Sequence, residues 1–347
     1  MSRASRAAPV LSARALNRAI LGRQLLLERA DLPIETALER VAGLQAQSAP
    51  SGYVGLWSRL RTFERDDLTR ALEARRAVQG TLMRGTIHLV SAADYWPFAV
   101  ALRPSRRAAL ARMLGPTRTE ELRERSDRLR VALADGPRTV RELDGLASGF
   151  VGNLSLWLDL VRVPPSGTWQ RRRADRLALA EAWLGPMQPS EDEALIHLVR
   201  SYLDGFGPAP VRDVAAWAGL PVAAIHRGAA NLALRQFVDE SGRTLVDLPD
   251  GPLPDPDTPA PVRFLPPFDT TFFAHSSRAG ILTDAHRRRI LRLENGTSLG
   301  GVTVDGRIVA AWLHRDGRIE VETFEELAKG DRDAMEAERL ALERFFA

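Results

Sequence analysis

The chain has 347 residues, a formal net charge of +4 and no cysteine. The missing cysteine excludes disulfides, thiolate nucleophiles, iron–sulfur clusters and cysteine-ligated zinc. No run of about 20 apolar residues occurs, which excludes a helical membrane span, and the basic N-terminal segment lacks the apolar core of a secretion signal.

The length predicts two to four compact units, and the chain order of elements repeats. Ser12 is placed to cap a helix carrying Leu16, Ile20, Leu25 and Leu27. A second helix starts near Pro33 and carries Ala37, Leu38, Val41 and Leu44. Helices over 53–60 and 68–75 follow, then strands over 78–82 and 86–90 around Arg84-Gly85. Helices followed by a β-hairpin is the order of a winged helix. The second round has helices over 118–134, 139–146 and 150–161, with a wing from 161 to 173 turning at Pro164-Pro165-Ser166-Gly167. The third starts at Ser190, with helices over 191–204, 210–218 and 221–235 and a wing over 236–238 and 244–248. A proline-rich linker at 251–259 marks a boundary. Strands over 300–304, 307–313 and 318–323 follow it, turning at Asp305-Gly306 and Asp316-Gly317, and a charged helix over 331–346 closes the chain. The predicted fold is therefore mainly α with β wings: three tandem winged helix-turn-helix units plus a small β-rich C-terminal unit. The expected boundaries are 1–105, 106–187, 188–250 and 260–347.

Several chemistries find no support. There is no phosphate-binding glycine loop, no His-Glu-x-x-His and no nucleophile elbow, so no nucleotide cofactor is expected. His88, His197, His226, His275, His286 and His314 show no ligand spacing, so no metal is expected. The one lysine, Lys329, lies in a charged C-terminal run and is a poor Schiff-base candidate.

Gln45 and Gln47 stand two apart, before Pro50-Ser51-Gly52. On a helix their amides would point apart, whereas on extended backbone they share a side. Taken alone, such a pair reads as solvated or capping. Strand alternation places Thr86, His88 and Val90 on one face. For His88 two readings stand, a satisfied partly buried histidine or a contact to phosphate or sugar. Arg171-Arg172-Arg173, with Trp169 and Arg162, forms the densest basic wing. It is either a solvated charge run or a set of phosphate contacts. Of the 48 basic residues 47 are arginine, which suits phosphate recognition and equally follows from a high-GC genome.

Gly43-Leu44-Gln45-Ala46-Gln47, then 55–60 (Gly-Leu-Trp-Ser-Arg-Leu) and 82–90 (Leu-Met-Arg-Gly-Thr-Ile-His-Leu-Val), resemble the AlkZ and YcaQ family of bacterial DNA glycosylases. The resemblance continues through 200–208, 213–221, 265–269 and 304–312, so it spans nearly the whole chain. Gln-apolar-Gln is similar to the AlkZ branch, where this motif is catalytic; the YcaQ branch has a carboxylate second. The resemblance implies tandem winged helices and a monofunctional glycosylase removing guanine alkylated at N7, with interstrand cross-links a candidate substrate. It implies Gln45 and Gln47 as catalytic residues, Gln45 placing water. A base alkylated at N7 is already cationic and leaves without a proton from a general acid, so a neutral amide suffices to orient water and stabilise an oxocarbenium-like sugar. Arg59, Arg84, Thr86, His88, Arg162, Arg171, Arg172, Arg173, Asp269 and Arg278 are the residues expected along the DNA. In the family the segment after Asp269 runs to an Asp-Arg pair; here the matching position reads Ser277-Arg278, so the carboxylate is lost. Asp269 itself reads as structural or functional. The implied partner is duplex DNA carrying an alkylated guanine, bound by a monomer in the cytoplasm on the nucleoid, with no cofactor and no membrane. The rival reading is a non-catalytic winged-helix DNA binder or regulator.

Overall fold

The computed structural model describes residues 8–147, 151–186, 189–275, 281–292 and 297–347. The first unit comprises β1 (Val10–Leu11), α1 (Ala13–Arg23), α2 (Ile34–Arg40), β2 (Leu44–Gln45), α3 (Ala49–Trp57), α4 (Arg65–Glu73), β3 (Ala77–Thr81), β4 (Ile87–Ser91) and α5 (Ala92–Leu114). The second has α6 (Pro116–Ala134), β5 (Arg138–Thr139), α7 (Val140–Ala147), α8 (Val151–Trp157), β6 (Leu160–Arg162), β7 (Arg176–Leu179) and α9 (Ala180–Leu184). The third has α10 (Glu191–Phe206), α11 (Val211–Ala218), α12 (Val222–Ala229), β8 (Arg235–Asp239) and β9 (Thr244–Asp247). The C-terminal unit has β10 (Arg263–Leu265), α13 (Asp284–Ile290), β11 (Leu291–Arg292), β12 (Thr297–Ser298), β13 (Gly300–Val304), β14 (Arg307–Arg315), β15 (Arg318–Thr323) and α14 (Lys329–Phe346). Mainly α with β wings is the fold observed.

The wings of the first two units merge into one six-stranded sheet, ordered β2-β4-β3-β6-β7-β5. Its two faces are buried in different cores. Val78, Val90, Val161 and Ala178 pack with Tyr95 and Phe98 of α5, Leu198 and Tyr202 of α10 and Trp217 of α11. Leu44, Ala77 and Leu89 face the other way, against Leu38, Tyr53, Leu56 and Trp169. Gly80 is needed where α5 crosses the sheet, since a Cβ there would lie 2.7 Å from the Tyr95 ring. The N-terminal β1 runs parallel to β8 and extends the third unit's wing to β1-β8-β9. In the C-terminal unit β10-β13-β14-β15 form an antiparallel sheet, with hairpin turns at Asp305-Gly306 and Asp316-Gly317 whose residues all have positive φ.

Several expectations shift. The second helix stops at Arg40, because Ala42 and Gly43 at φ 56° and 76° break it and release Leu44-Gln45 into a strand. Pro50 lies in the first turn of α3 and so begins that helix, where its missing N–H costs nothing. The long α5 carries no amphipathic signal: Phe98, Ala99, Val100, Ala101 and Leu102 are buried in succession. The second wing returns at Arg176, not at Thr168. The chain between curls around Ser166, whose hydroxyl donates to the Arg173 carbonyl and accepts from the amides of Asp175 and Arg176.

Candidate functional site

The glutamine motif lies at the edge of the six-stranded sheet. Gln45 pairs with His88 of β4, which pairs with Gly80 of β3. Leu44 and Ala46 enter the core formed by α2 to α4. Strand alternation therefore turns Gln45 and Gln47 to the opposite face. Gln45 is 5% exposed. Gln47 is exposed, and its Oε1 accepts from the Ile87 amide at a long 3.4 Å.

Arg84 comes up beneath Gln45. It stands in a one-turn 3-10 helix, Met83–Gly85, between β3 and β4, with φ 54° at Arg84 and 70° at Gly85. That tight turn, closed by a Thr86 hydroxyl donating to the Met83 carbonyl, aims the guanidinium back along the sheet edge. Its Nη2 donates to Gln45 Oε1 at 2.7 Å and its Nη1 donates to the carbonyl of Trp217 at 2.5 Å. The Phe273 ring lies 5.7 Å from its central carbon. Desolvation lowers the Arg84 pKa to about 10, which leaves it cationic at neutral pH, and no carboxylate of the described residues offsets that shift.

His88 is wholly buried under the pair. Its Nδ1 donates to the Thr86 carbonyl at 3.1 Å, and its Nε2 has no partner among the described residues. Burial, then the Arg84 charge, lower its pKa to about 3, against the opposing pull of the Thr86 bond. The imidazole is therefore neutral at physiological pH. Among the described residues no carboxylate acts on either Arg84 or His88, so the cluster presents amides and one fixed cation. Such a set can orient water and stabilise charge through dipoles; it offers no titrating acid or base near pH 7.

The predicted DNA contacts separate into groups. Gln45, Gln47, Arg84, Thr86 and His88 come together, but His88, at 0% exposure, reaches no phosphate or sugar; its place is inside the protein. Arg59 and Asp269 are inside the protein as well, which for Asp269 is the structural of its two readings. They form a bidentate ion pair, 3.0 Å on each arm, with both side chains at 0% exposure. Arg59 also donates to Gln24 Oε1, and Asp269 caps the short turn Thr270–Phe272. The pair clamps α3 to the C-terminal unit, with both side chains shielded from solvent.

Arg162 pairs with Gln79 and Leu177 in register, one row over from Gln45, so it projects from the opposite face of the sheet. Desolvation lowers its pKa also. Arg171, Arg172 and Arg173 are exposed in the β6–β7 loop. Arg171 and Arg173 reach Asp175 at 3.8 and 3.1 Å, while Arg172 stacks 4.9 Å over Trp169, a residue of the core opposite Gln45. Arg278 lies outside the described residues. Sequence reasoning missed the Trp217 carbonyl, for which no side-chain pattern could have been a signal.

Among the described residues no cluster of three histidines and carboxylates is placed to hold a metal, and no helix is long and apolar enough to cross a membrane. No curated protein matches the chain. A solved structure does: Streptomyces sahachiroi DNA glycosylase AlkZ superposes with a TM-score of 0.79 at 20% sequence identity, covering 97% of each chain. At that identity the likeness establishes the fold. Residues 38–345 match the family model described as DNA glycosylase AlkZ-like. The chain thus belongs to the AlkZ-like family of DNA glycosylases, and DNA is the partner that the family implies.

Proposed function

We propose that this protein is a monofunctional glycosylase that releases N7-alkylated guanine from duplex DNA by water attack, with Gln45 placing the water and Gln47 making a second contact to water or sugar. The observation that carries the reading is the Gln45 amide, held by the Arg84 guanidinium at 2.7 Å in a cluster without an ionisable acid or base near neutrality. A neutral oxygen acceptor is a weak base, so it is matched to a substrate whose leaving group departs without help. An N7-alkylated guanine meets that condition because its positive charge already weakens the glycosidic bond. An intact nucleoside does not. No lysine lies in the cluster, which favours hydrolysis over a Schiff-base route.

The test is single-turnover release of base from a duplex bearing one N7-methylguanine. One oriented dipole in a water-excluded site is worth about 3 kcal/mol of barrier. Gln45→Ala should therefore lose about 100-fold in rate with DNA affinity retained. Gln47→Ala should slow release by less, since Gln47 is exposed and held by one long bond. Wild-type rates in Gln45→Ala would remove the assignment, and a protein that binds DNA but releases no alkylated base would be a winged-helix binder.

A further inference from the structure

Arg84 is a cation largely taken out of water without an acidic partner among the described residues, an arrangement that is costly unless fixed dipoles replace the lost hydration. Two carbonyls supply them. Trp217 is the penultimate residue of α11, where the free carbonyls form the negative end of the helix dipole. The Arg84 Nη1 donates to its carbonyl there. Gly219, at φ +72°, ends that helix so close to the arginine that a Cβ would lie 3.3 Å from Arg84 Cα. The other carbonyl is Gln45 Oε1. A guanidinium carries donors alone, so the Gln45 amide can offer it only the oxygen. The amide is thereby locked in one of its two flips, with its amino group turned away from Arg84.

We propose that Arg84 is a positioning residue for Gln45: it grips the C-terminus of α11 with one arm and sets the orientation of the Gln45 amide with the other. This rests on the reading of Gln45 as the residue that places water. Engagement by a cation weakens the amide oxygen further as a base and sharpens it as an oriented dipole. It also couples the third winged unit to the strand bearing the glutamine. The expectation from sequence was a contact to DNA; the geometry instead points both hydrogen-bonded arms of the guanidinium into the protein.

The experiment measures the rate of base release at saturating protein and the affinity for undamaged duplex across a salt series. The variants are Arg84→Met, Arg84→Lys, Gln45→Ala and Arg84→Met with Gln45→Ala. Removing a residue that orients a functional group should cost about 10- to 100-fold in the saturated rate. Affinity should stay within about twofold, the slope of log affinity against log salt should not change, and the double variant should be no slower than Gln45→Ala. Arg84→Lys should also be slow, because an ammonium lacks the planar fork that spans two carbonyls; it decides the matter if Arg84→Met does not fold, and a full rate in Arg84→Lys would then overturn the proposal. So would a wild-type rate in Arg84→Met, losses that multiply in the double variant, or weaker binding with a shallower salt slope at an unchanged rate, the mark of a phosphate contact. An active Gln45→Ala defeats the glutamine reading itself, whereas an inactive Gln45→Ala beside a fully active Arg84→Met defeats this proposal alone.

Discussion

Lowering the pH from 7 to 5 should destabilise this protein through His88, and replacing His88 with leucine should remove that share of the loss. The folded imidazole has a pKa near 3 because it is buried and lies close to the Arg84 cation. The unfolded chain protonates near the ordinary value of about 6.5. As pH falls from 6.5 towards 3 the unfolded state takes up a proton that the folded state refuses, so stability declines across that window and is unaffected by this group above it. The slope is about 1.4 kcal/mol per pH unit once fully developed, which gives about 2 kcal/mol between pH 7 and 5. Urea unfolding of wild type and His88→Leu at both pH values reads this directly. The drop for wild type should exceed the drop for the variant by about 2 kcal/mol. Whatever leucine does to packing appears at both pH values and cancels. Equal drops would refute the reasoning, since they would mean that the imidazole ionises in place. Base release by wild type should accordingly be flat between about pH 6 and 8.5, and a limb abolished in His88→Leu would make His88 a participant.

Two further outcomes test the other groups of residues. Replacing Arg171, Arg172 and Arg173 with alanine should flatten the salt slope of DNA binding by roughly 0.9 for each phosphate that these side chains neutralise; an unchanged slope would assign all three to Asp175, Trp169 and solvent. Asp269→Ala leaves the Arg59 charge buried without its carboxylate and should cost about 3–5 kcal/mol in chemical denaturation, whereas Arg59→Met with Asp269→Leu should cost much less. Loss of DNA affinity in a double variant of unchanged stability would restore the pair to the DNA interface.

Much of this molecule is local, and local features are legible. Ser12 and Ser190 cap α1 and α10 because a short hydroxyl followed by free amides needs no distant partner. Asp305-Gly306 and Asp316-Gly317 specify tight hairpins through their positive φ alone. The order of helices, wings, proline-rich linker and C-terminal strands follows from such signals and gives the fold class. A family likeness carried by short motifs in order is legible in the same way, without any knowledge of the packing. Where a stretch of helix is buried in succession, as Phe98–Leu102 of α5 is, the periodicity vanishes and the element goes unseen.

The roles of the charged and polar residues were decided by tertiary structure. Arg59, Arg84 and Arg162 look alike in a sequence. Only the fold makes the first a buried clamp on Asp269, the second a brace between Gln45 and the Trp217 carbonyl, and the third a side chain on the far face of the sheet. His88 differs in the same way, since burial and a neighbouring cation, both non-local, fix its charge. The physical reason is that backbone propensity acts over a few residues, whereas desolvation and hydrogen-bond partnership depend on which distant segments close over a side chain. The sequence by itself determined most of the elements, their order and the glutamine pair; the packing of α11 and Phe273 against the β3–β4 turn, and the burial of His88, decided which polar groups surround that pair and in what ionisation state.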